Sequence, residues 1–92
     1  MRDKKFIINS IKMDLHRVAT AVGDVSKPLP TQSVEEFLTH AISNFNRIDV
    51  TPLEQILRDQ LVTLFKNINN LADPHKRLVW TEDIITIRCR VG

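Results

Sequence analysis

Ninety-two residues, 42% hydrophobic and 26% charged with two glycines and four prolines, make one folded domain with one modest core and exclude a disordered or fibrous chain. Thirteen basic against eleven acidic residues leave a net charge of +2, too weak a bias to point by itself to nucleic acid or to an anionic membrane. The single cysteine, Cys89, excludes an intramolecular disulfide framework and fits a reducing compartment, so a cytoplasmic location is expected.

The apolar run Phe6-Ile7-Ile8 stops at Asn9 and Ser10, too short for the core of a signal peptide. No segment approaches the roughly 20 apolar residues a bilayer crossing needs, and no membrane association is expected. Charge is distributed unevenly. Residues 1–17 carry five basic and two acidic groups, residues 31–60 two and five, and residues 61–92 five and three, so the ends are basic and the middle acidic.

The first predicted element is a helix near 4–22, because Ile7, Ile11, Leu15, Val18 and Val22 recur at helical spacing on one face. Gly23 follows as a C-terminal residue, and Pro28 and Pro30 hold the next stretch extended as the one linker. A second helix is predicted over 33–48. Ser33 and Glu36 match a capping box, and Val34, Leu38, Ala41, Phe45 and Ile48 form its apolar stripe. Thr51-Pro52-Leu53-Glu54 repeats that signal with proline at the first helical position and opens a third helix over 52–71. The short gap between Ile48 and Thr51 should set these two helices antiparallel. The third helix has an unusually broad apolar arc. Leu53, Leu57, Leu61, Leu64, Ile68 and Leu71 form one seam with Ile56, Val62 and Phe65 beside it, which marks this helix as the central one.

Asp73-Pro74 can cap a short turn into His75-Lys76-Arg77. Residues 75–91 then fit two descriptions. Ile85, Ile87, Cys89 and Val91 alternate as on a strand, whereas Ile84, Ile87 and Val91 fit a helical face behind a Thr81 cap. Helix is favoured, since a lone strand has no partner in this chain. The fold class is therefore mainly α: a single domain over 1–92, a small bundle of three to four helices whose segment 75–91 is helix or a single strand.

No constellation for catalysis stands out, so an enzyme is not expected. His16, His40 and His75 lack neighbours at ligand spacing, and neither a zinc motif, a glycine-rich phosphate loop nor a nucleophile elbow occurs, so no metal and no cofactor is expected. Glu35-Glu36 and Glu82-Asp83 suit first turns of helices, where negative charge is favoured. Cys89, between Arg88 and Arg90, reads as a small half-buried hydrophobe.

The stretch Leu15-His16-Arg17-Val18-Ala19-Thr20-Ala21-Val22-Gly23 resembles, over nine residues, the histidine-bearing helix of histidine phosphotransfer domains, which are small helical bundles. The family's lysine and glycine in the turn after the histidine are absent, with Ala19 and Thr20 following Val18. The resemblance implies His16 as a phosphorelay residue.

The leading functional expectation is a helical protein-interaction module, adaptor or regulatory, that self-associates as a homodimer and binds another protein through Trp80, Ile56 and Phe65. The alternative is a nucleic-acid-binding regulator in which Lys76, Arg77, Arg88 and Arg90 contact phosphates and an exposed Trp80 stacks. Against that alternative, the Arg47-Val50 junction lacks the glycine of a tight helix-turn-helix, and the third helix carries leucines where base-reading residues belong.

Overall fold

In the computed structural model, which describes residues 3–91 apart from the side chain of Asn70, helix α1 spans Lys4–Gly23, α2 Thr31–Phe45, α3 Pro52–Lys66 and α4 Pro74–Arg90, with a 3-10 turn over Ile68–Asn70. Met1 and Arg2, part of the basic N-terminal segment, and Gly92 lie outside the described residues. The segment left open between helix and strand is helix throughout. No described helix is long and apolar enough to cross a membrane.

Local chemistry explains most boundaries. The Asp3 carboxylate accepts from the Lys5 amide at 3.2 Å and caps α1. At α3 the capping box is complete: the Glu54 amide donates to the Thr51 hydroxyl at 3.2 Å, and the Thr51 amide donates to the Glu54 carboxylate at 2.9 Å. Two caps differ from expectation. The Ser33 box does not form, because α2 begins at Thr31 directly behind Pro30, whose constrained φ already suits a helix start; Ser33 therefore lies inside the first turn. Thr81 caps nothing either, since Asp73 and Pro74 start a 17-residue helix rather than a short turn. Thr81 is an interior residue whose hydroxyl donates to the Arg77 carbonyl at 2.9 Å.

The helices alternate in direction. Between α1 and α2, the pairs Ser10–Asn44, Asp14–His40 and Arg17–Phe37 advance along one helix while retreating along the other. Between α1 and α4, Arg77 meets Val22 and Arg88 shares a cleft with Lys12. Arg58 reaches Asn46 from α3, and Trp80 reaches Leu64 from α4. The result is an up-down-up-down bundle, 41 Å long and about half as wide, in which one hydrophobic cluster takes residues from all four helices.

The central helix is α1, not α3. Ile11, Leu15, Val18 and Val22 have no exposed surface, and each such side chain contributes roughly 1.5–3 kcal/mol of burial. On α3 only Leu57 and Leu61 are buried apolar residues, while Leu53 and Ile56, which broaden its stripe, face outward. A broad arc on a helix with only two close neighbours leaves one edge in solvent.

Arg77 joins the first helix to the last. Only 6% exposed, it donates from Nε to the Val22 carbonyl at 2.7 Å, from Nη2 to the Asp24 carbonyl at 2.9 Å and from Nη1 to the Lys27 carbonyl at 2.9 Å. These carbonyls belong to the C-terminal end of α1 and the linker after it, where carbonyls lack helical partners and positive charge is favoured. Truncation to alanine takes the side-chain donor from the Val22 and Lys27 carbonyls and leaves Asp24 only the Lys27 amide at 3.2 Å, and Arg77→Ala is expected to lower the free energy of unfolding by about 3 kcal/mol. Urea denaturation checks this, and a loss below about 1 kcal/mol would contradict the role.

Glu54 supplies a pH dependence. Burial pushes its carboxyl up, but the Lys4 ammonium, 2.8 Å away, and the Thr51 amide outweigh this and hold it below the ordinary glutamate value. A carboxyl lowered in the folded state adds stability above the unfolded value and loses it as pH falls through the folded one. The stability gap between wild type and Glu54→Gln should therefore be constant near neutrality and close as pH drops below the glutamate range, as read from urea midpoints across pH. A gap unchanged in acid would overturn the assignment.

Candidate functional site

The residues singled out from sequence fall into different surroundings. Trp80 is 4% exposed, and its Nε1–H donates to the Leu64 carbonyl at 2.9 Å, so its ring is part of the α3–α4 interior and not an exposed stacking surface. Ile56 is 54% exposed on α3. Phe65, half-buried, borders a different cavity with Glu35, Glu36 and His40 of α2.

The basic residues do not gather either. Arg77 is interior and its donors are spent on carbonyls. Lys76 lies on the α3–α4 side with His75, and Arg90 on the same side with Asp83, whereas Arg88 faces α1. Cys89 is exposed rather than half-buried, because the helix places it with Leu78, Glu82 and Ile85 on the outer face of α4.

Three features emerge from the assembled bundle. The first is a polar seam between α1 and α2. Asp14, whose side chain is 4% exposed, stands 2.5 Å through Oδ2 from His40 Nδ1 and 3.5 Å through Oδ1 from Arg17 Nη1. A carboxylate only accepts, so Nδ1 carries the hydrogen of that bond. Further along, Asn44 Nδ2 donates to the Ser10 hydroxyl at 3.3 Å. An imidazole held through Nδ1 by a carboxylate is one part of a Ser-His-Asp triad, whose other parts are a nucleophile and oxyanion donors. Ser10, which shares a cavity wall with His40, is engaged by Asn44, and Ser10 and His40 sit inside their helices, where amides are used in the helix ladder. The chemistry of the pair is a brace: His40 and Arg17 satisfy a carboxylate that α1 buries. Its signal was legible, since an aspartate between Ile11 and Val18 at helical spacing interrupts the apolar stripe.

The second feature is a groove along α3 and α4. One half is lined by Gln60, Thr63, Leu64, Asp83, Thr86, Ile87 and Arg90, and the other by Leu64, Asn67, Leu71, His75, Lys76, Val79, Trp80 and Asp83. The halves, about 330 and 490 Å³, meet at Leu64 and Asp83. Leu53 and Ile56 extend the Gln60–Thr63 stripe of α3 toward its N-terminus. The floor is apolar and the rim polar.

The third is a cleft of about 490 Å³ where Arg88 of α4 reaches the outer stripe Asn9, Lys12, Met13, His16 and Arg17 of α1. His16 is exposed here, beside Lys12, Arg17 and Arg88. Among the described residues, no group of three or more histidine, cysteine, aspartate or glutamate side chains could hold a metal ion. Comparison with protein-family models, with curated proteins and with solved structures found no match to this chain.

Proposed function

We propose that this domain is a protein-interaction module whose docking surface is the groove between α3 and α4, and that it self-associates through that surface. The observation that carries the reading is the groove itself: Leu64, Leu71, Trp80 and Ile87 behind a polar rim, with Val79 exposed in its lining and Leu53 and Ile56 exposed beyond it on the α3 stripe of Gln60 and Thr63. An apolar trough of this kind accepts an amphipathic helix, which presents side chains at positions i, i+3 or i+4, and i+7. The chain carries two of these anchors, at i and i+7. On the outward face of α4, Leu78 and Ile85 are exposed and lie seven residues apart with Glu82 between them. A second copy is therefore the first occupant to test.

Sedimentation equilibrium from micromolar to millimolar protein is the direct experiment. Wild type should show a concentration-dependent dimer, and Ile56→Glu with Val79→Glu, both at exposed positions, should shift it to monomer by at least about tenfold in dissociation constant while leaving the circular dichroism melt unchanged. A wild type that stays monomeric at millimolar concentration, or a dimer indifferent to both charges, would contradict self-association through the groove.

A further inference from the structure

The cleft between α1 and α4 has a different character from the groove. Its lining contains Lys12, Arg17 and Arg88 with His16 and the amide of Asn9, and no carboxylate. Asn9, Lys12, Met13, His16 and Arg17 follow helical spacing along one stripe, so they face the same space, and Arg88 arrives there from the neighbouring helix. Like charges brought together raise one another's energy unless an anion joins them. Asp14, the carboxylate that pairs with Arg17, is buried on the α2 side, where His40 and the Arg17 Nη1 share it, and the Arg17 guanidinium also lies 5.8 Å from the Phe37 ring centre. Arg17 is thus partly engaged. Lys12 and Arg88 form no ion pair among the described residues.

A second observation concerns Arg88 alone. Its Nε is shut off from solvent and has no hydrogen-bond partner. A desolvated donor on a cation carries a cost, and such groups are rare in folded proteins; with Nε closed to solvent, an acceptor oxygen reaches it only when the guanidinium turns toward the cleft. Arginine pairs with tetrahedral oxyanions through two parallel N–H donors, lysine adds a point charge, and asparagine and histidine can add further donors.

We propose that this cleft binds a phosphate-type oxyanion, with Arg88 and Lys12 as its principal ligands and His16, Asn9 and Arg17 around it. The site is independent of the α3–α4 groove. The anion can be free phosphate or a phosphate ester on another molecule.

Amide NMR titration of the full chain with inorganic phosphate, against sodium chloride at matched ionic strength, tests the site. Saturable shifts are expected in residues 9–17 and around Arg88, with half-saturation raised about tenfold by Arg88→Gln and by Lys12→Ala. Arg90→Gln, on the same helix but facing α3, should leave it unchanged. A parallel titration with O-phosphoserine separates the sources: tighter binding than phosphate marks an esterified phosphate, weaker binding marks the free anion, and either order supports the site. Shifts that fail to saturate, or Arg90→Gln weakening binding as much as Arg88→Gln, would overturn it. Lys12→Ala keeps the test decisive should Arg88→Gln prove unstable.

Discussion

The C-terminus of α1 presents carbonyls without helical partners to the start of α4, and the Arg77 guanidinium answers them while also holding Asp24 and Lys27 of the linker. Much of the molecule depends on this clamp. It fixes where the chain leaves α1 for the proline segment and, by binding α4 one turn from its start, sets the register of α4 against α1. Arg77 and Arg88 are separated by eleven residues, about three helical turns, so they occupy one face of α4. With the first held at Val22, the second falls opposite Lys12. The structural arginine thus positions the half-buried one.

Strength is unequally shared around the bundle. Helix α1 contributes Ile11, Leu15, Val18 and Val22 without exposed surface, and is braced to α2 by Asp14–His40 and to α4 by Arg77. Helix α3 is tied by a complete cap at its start, by the Lys4–Glu54 pair and by the Trp80 bond to Leu64, but it buries few apolar side chains and leaves the groove beside it open. The two surfaces proposed to bind lie on opposite sides of α4. One uses the shallow packing of α3, and the other uses charges mounted on the rigid pair α1 and α4.

Periodicity revealed the first three helices because each has an apolar stripe with a clear step, and Thr51-Pro52-Leu53-Glu54 marked its boundary to the residue because cap chemistry is local. The start of α2 was misplaced by two residues, since Ser33 and Glu36 carry the letters of a capping box while Pro30 decides where helical geometry begins. The alternation of Ile85, Ile87, Cys89 and Val91 imitated a strand because helical and extended spacings coincide over so short a run. The sites were less legible. Arg77 and Trp80 looked like exposed binding residues by type, and only the packing of α4 against α1 and α3 turns them inward. Lys12, His16 and Arg17 share a stripe that sequence spacing contains, yet Arg88, more than seventy positions away, joins it only through the tertiary register.

The unequal sharing of stability is the physical basis for both proposed surfaces, and native-state hydrogen exchange measures it residue by residue. Amides of Leu15 and Val18 in α1 should exchange only through global unfolding, while those of Leu61 and Leu64 in α3 should open at a lower free energy, by about 1–2 kcal/mol. If the α3 amides prove as protected as those of α1, the bundle is not anchored on α1, and the groove beside α3 loses its physical rationale.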